Sequence, residues 1–124
     1  KTIELKVGLE LVRKEILPAI TKQINELATA YTQSLNAKID SLALQKDINV
    51  LEKLYSSIQT KETYIQKFIS KTESIEDSFK LAQTLAEKGE ELLLSLREDV
   101  DAAEKRISAE YWNLPSYDEL LLNF

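Results

Sequence analysis

An all-α fold, an antiparallel up-down bundle of three long helices with a short C-terminal helix, is what this sequence predicts, and three observations carry the prediction. Apolar residues recur every third or fourth position along three long stretches, the spacing that lines one side of a helix. Two glycines and two prolines in 124 residues leave little punctuation for the turns a sheet would need. A chain that is 44% hydrophobic and 30% charged suits a few long amphipathic helices. Residues 1–124 are expected to form a single domain with one modest core.

The first helix is predicted over about 2–36. Leu5, Leu9, Val12, Ile16, Ile20, Ile24, Leu27, Tyr31 and Leu35 fall on one face of it. Pro18 lies inside this stripe, where it removes one backbone hydrogen bond and crowds the Lys14 carbonyl, so a kink or a break into two helices is expected nearby. The stripe resumes in register beyond the proline, which favours the kink.

Between Asn36 and Asp47 the pattern weakens, and Asn36, Asp40 and Ser41 tolerate a turn, which predicts a loop there. A second helix over about 44–71 carries Leu44, Ile48, Leu51, Tyr55, Ile58, Ile65, Phe68 and Ile69, interrupted by polar residues at 59–63. Thr72 or Ser74 is the expected cap of the third helix, with Asp77 as an acidic residue in its first turn. That helix is predicted over about 74–111, roughly 55 Å at about 1.5 Å per residue. Its stripe of Ile75, Phe79, Ala82, Ala86, Gly89, Leu93, Leu96, Val100, Ala103 and Ile107 keeps a coiled-coil-like four-three rhythm. Gly89 costs about 1 kcal/mol in a helix interior relative to alanine, which marks either a close helix approach or a weak point; close approach is preferred.

Short connections between such helices force neighbours to run in opposite directions. The alternative is a very long hairpin that completes its core by dimerising.

The closing stretch, "EYWNLPSYDELLLNF", concentrates aromatic residues in a capped tail, 112–124. Pro115 bars helix continuation, and Ser116 with Glu119 spells a capping box for a short helix over about 117–122. Trp112, Leu114, Pro115, Tyr117, Leu120, Leu121 and Phe124 are the expected packing or interface anchors. Trp112 either closes the open end of its own bundle, the preferred reading, or seats in a pocket of another surface. Both readings imply that removing the tail exposes apolar surface.

Chemistry is harder to find. The net charge of −5 disfavours a nucleic-acid or anionic-membrane binder, because those need a basic face to recruit phosphates. Without cysteine or histidine, the chain lacks disulfides, thiolate sites and the commonest general base and transition-metal ligand. Glu87, Glu90, Glu91, Glu98, Asp99 and Asp101 could in principle converge on a hard cation. No EF-hand spacing accompanies them, and a solvated helix face is the preferred reading. No phosphate loop or nucleophile motif is present. No catalytic, cofactor-binding or metal-ligating residue is therefore assigned. There is no bilayer-length apolar run and no signal peptide, which leaves a soluble, cytoplasmic protein as the expectation. The chain opens on Lys1 already in a helical pattern, which suggests a piece of a longer polypeptide.

The stretch "VDAAEKRISAEYWNLPSYDELLLNF" resembles the extreme C-terminus of type III glutamine synthetases, where a long helix runs into a "W-P-L-P-x-Y-x-x-L-L-F" ending. Arg97, Asp101, Glu104, Trp112, Leu114, Pro115, Tyr117, Leu120 and Leu121 stand at matching places. Ile16, Pro18 and Ala19 in "GLELVRKEILPAI" match a second family segment. Asn113 replaces the usual first proline, and Leu122 and Asn123 delay the usual phenylalanine to Phe124. The resemblance implies a parent enzyme that ligates ammonia to glutamate with ATP and a divalent metal. It also implies that the catalytic residues lie in an earlier part of that polypeptide. This chain would then be a non-catalytic appendage, in contact with the rest of the parent and with neighbouring subunits of a homo-oligomer. The rival reading is a free-standing helical interaction or scaffold module, and a third is a carboxylate metal-binding bundle.

Overall fold

The computed structural model describes the backbone of residues 2–112 and the side chains of residues 5–112. The fold is all-α: three helices follow one another, and no strand occurs among the described residues.

The first helix is assembled from Thr2–Leu11, a wide π turn at Val12–Ile16, and Leu17–Asn36. Leu11, Ile16 and Leu17 all keep right-handed helical angles, so the chain passes Pro18 without the break considered above. Within the wide turn the Leu17 N–H donates to the Val12 carbonyl, five residues back. The extra residue sits directly before Pro18, where a regular α turn would press the ring against the Lys14 carbonyl. It also explains the local spacing: Val12, Ile16 and Ile20 succeed one another in fours and all are buried.

At the end of this helix Lys38 adopts a left-handed φ of 64°. The Ile39 N–H reaches back to the Ser34 carbonyl at 2.7 Å and the Lys38 N–H to the Leu35 carbonyl at 2.9 Å. This is the Schellman arrangement, with a lysine where glycine is usual. The Ser41 hydroxyl then accepts the Leu44 N–H and caps the second helix, Leu42–Glu73. The connection is therefore tighter than the sequence predicted, because backbone and side-chain caps close both ends at once.

The polar interruption of the second stripe has a structural counterpart. Glu62 stands between Ile58 and Ile65 on the buried face, with its carboxylate 3.3 Å from Arg13 Nε. Thr72 is buried too, its hydroxyl donating to the Ile69 carbonyl. Neither Thr72 nor Ser74 caps the third helix: Thr72 is still inside the second, and Ser74 is its C-cap. Asp77 is the cap, accepting from the Phe79 and Lys80 N–H groups.

The third helix joins Ser78–Thr84, a second wide turn at Leu85–Gly89, and Glu90–Glu104. It starts later and ends earlier than the predicted 74–111. Its register is also corrected. Leu96, Val100, Ala103 and Ile107 are buried as the stripe predicts, but Phe79 is 78% exposed and Ala82 and Ala86 are exposed as well. Leu81 and Leu85 face the core instead. A wide turn adds one residue to the ladder, so every position before it is displaced by one relative to an unbroken four-three count.

Ion pairs fix the relative directions of the helices. Lys6 meets Glu73 at 3.1 Å and Arg13 meets Glu62, so the first two helices run oppositely. Lys61 meets Asp99 at 2.9 Å and Arg106 meets Asp47 at 3.7 Å, so the second and third do as well. All three contribute to one apolar cluster, with Leu5, Ile20, Leu51, Ile58, Ile65, Leu96 and Val100 almost fully buried. Gly89 is buried within it. A β-carbon there would meet Leu5 Cδ1 at 3.8 Å and Phe68 Cε1 at 3.9 Å, ordinary contact distances, so the close approach preferred above does not require a glycine.

Candidate functional site

The segment that follows the third helix is tied back onto the first. Ile107 completes the core stripe, and the Ser108 N–H donates to Gln23 Oε1 at 2.8 Å. Gln23 is only 6% exposed, and its amide nitrogen donates to Glu26 Oε2 at 3.0 Å. Glu26 uses its other oxygen to accept the Tyr111 hydroxyl. One buried amide and one carboxylate thus hold two points of the descending chain. Tyr111 and Trp112 pack against the apolar cluster at this place. The Tyr111 phenol is held above its ordinary pKa, first because burial disfavours the phenolate and then because Glu26 accepts its proton-bearing hydroxyl.

Among the predicted anchors, Trp112 lies on its own chain's core, half-buried. Its indole N–H is shielded from solvent and finds no acceptor among the described residues. Leu114, Pro115, Tyr117, Leu120, Leu121 and Phe124, with the predicted closing helix, lie outside the described residues.

Gln23, Glu26 and Ser108 escaped the sequence reading. A signal was available for Gln23, which stands three residues after Ile20 and four before Leu27, on the core stripe itself. A polar residue at such a position needs a partner, and the partner lies at the far end of the chain.

The acidic residues of the third helix do not converge. Asp99 accepts from Ser57 and pairs with Lys61, Asp101 pairs with Arg97, Glu91 with Lys88, and Glu87 accepts from Gln83. No group of three or more carboxylates among the described residues is arranged to hold a metal ion. No described helix is long and apolar enough to cross a membrane. Comparison of the chain with protein-family models, with curated proteins and with solved structures finds no match.

Proposed function

We propose that the chain is the C-terminal helical domain of a type III glutamine synthetase, a non-catalytic element that stabilises the subunit or its contacts within a homo-oligomer. What carries this reading is the likeness of the ending from Trp112 to Phe124 to the family's C-terminus. Gln23 and Glu26 hold Ser108 and Tyr111, and Trp112 packs against the apolar cluster beside them. In this reading the fold is an up-down bundle of three long helices completed by a short helix after Pro115. The parent carries out the ATP- and metal-dependent ligation of ammonia to glutamate in the cytoplasm, with no nucleic acid or membrane partner, and every reacting group belongs to its earlier part.

The reading frame upstream of Lys1 tests this directly. Several hundred residues containing glutamate- and histidine-bearing metal motifs are expected; a stop codon or an unrelated domain refutes the proposal. In the intact parent, Trp112→Ala combined with Leu120→Ala should reduce assembly while fully assembled particles keep their specific activity. Exposed Ile39, Leu42 and Phe79 favour a second reading, a free-standing helical interaction or scaffold module, which the same reading frame separates from the first.

A further inference from the structure

The start of the third helix buries none of its residues at Ser78–Thr84, and a cleft of about 580 Å³ opens between it and the end of the second helix. The second helix supplies Tyr64, Lys67, Phe68 and Lys71 to its wall, residues that share one face at three- and four-residue spacing. Lys80 and Lys88 come from the third helix, and Ile75 closes the end.

In a chain of net charge −5, four lysines line one cavity. Lys88 has Glu91 at 3.7 Å, but Lys67, Lys71 and Lys80 have no carboxylate partner among the described residues. Of the nearby acids, Glu73 pairs with Lys6 and Asp77 accepts the Phe79 and Lys80 backbone N–H groups, while Glu76 is exposed and pairs with none of these lysines. Lys67 and Lys71 are one turn apart, an arrangement of like charges that destabilises a helix. An anion in the cleft would relieve that repulsion. Tyr64, Phe68 and Ile75 add an apolar surface beside the charges, and the volume falls in the range of small-molecule sites.

We propose that this cleft binds a small amphipathic anion, one carboxylate or phosphate head held by Lys67, Lys71 and Lys80, with an apolar body against Tyr64 and Phe68. The site does not depend on the identity of any parent enzyme.

Calorimetric titration of the full chain with decanoate and with decyl phosphate tests it. Saturable binding of either, one per chain, is expected, and the tighter of the two identifies the head group. The double variant Lys71→Gln/Lys80→Gln should weaken binding by about tenfold or more, while Lys71→Arg/Lys80→Arg retains it. Tyr64→Ser should weaken binding without shifting the unfolding midpoint, since Tyr64 is largely exposed. Absence of saturable binding overturns the proposal. So does equal binding of decyltrimethylammonium, which has the wrong charge, or of inorganic phosphate as tightly as decyl phosphate, which would leave the apolar body without a role.

Discussion

The Tyr111 hydroxyl donates to Glu26 Oε1 at 3.2 Å, joining residues 85 apart in the chain. With the Gln23–Ser108 bond it fastens the end of the third helix to the middle of the first. Because the folded state holds the Tyr111 proton more tightly than the unfolded chain, this contribution is complete below the phenol's ordinary value of 10.0 and is lost as pH rises through the folded value. Tyr31, which donates to Asp40, shifts in the same direction. Thermal unfolding should therefore lose midpoint more steeply above pH ~10 in the native chain than in Tyr111→Phe. At neutral pH, Gln23→Leu should cost about 1–2 kcal/mol by removing the acceptor of the Ser108 N–H, with a red shift of Trp112 emission.

Two positions carry the wrong residue for their backbone. Lys38 stands at a left-handed φ that glycine adopts without strain, and Gly89 stands at right-handed helical angles with room for a methyl group. Lys38→Gly and Gly89→Ala are each expected to stabilise the fold by about 0.5–1 kcal/mol. Denaturant midpoints of the single and double variants check this, and additivity follows from the distance between the sites.

The wide turn at Leu85–Gly89 separates two registers that sequence spacing alone would confuse. Leu85→Ala should cost about 2–4 kcal/mol, because it opens a cavity in the core. Phe79→Ala should stay within about 0.5 kcal/mol of the native chain, because the ring is already in water. Equal losses in chemical unfolding would restore the unbroken stripe.

Glu62 is a carboxylate on the buried face, and its pKa is raised because burial outweighs the neighbouring Arg13. Folding therefore favours its protonated form, so its contribution to stability is most favourable below the ordinary carboxylate value and declines as pH rises through the folded one. Glu62→Gln should raise the melting midpoint by a few degrees at neutral pH and leave it little changed in mild acid. A pH series of melting curves for both proteins measures the difference.

Much of the architecture was legible because burial has a period. Leu5, Leu9, Val12, Ile16 and Ile20, and later Leu96, Val100, Ala103 and Ile107, were placed in the core by spacing alone and lie there. The misplacements share a cause. Spacing turns Phe79, Ala82 and Ala86 inward only because it runs through a turn whose extra residue leaves no composition signature. Asp77, a first-turn acid by its place in the sequence, is the cap by its angles and hydrogen bonds. Of the candidate site, Trp112 and the buried place of Gln23 on the stripe are legible in the sequence, but the partners of Gln23 and Glu26 lie 85 positions away and are not.

By itself the sequence determined that the chain is helical and which faces of its helices turn inward wherever the register is unbroken, because both follow from interactions within a few residues along one segment. Only the tertiary structure decided where the registers slip, what the buried polar side chains pair with and onto what the end of the third helix is tied. Those outcomes depend on which distant groups arrive to satisfy a buried charge or hydrogen bond, and local spacing carries no record of that.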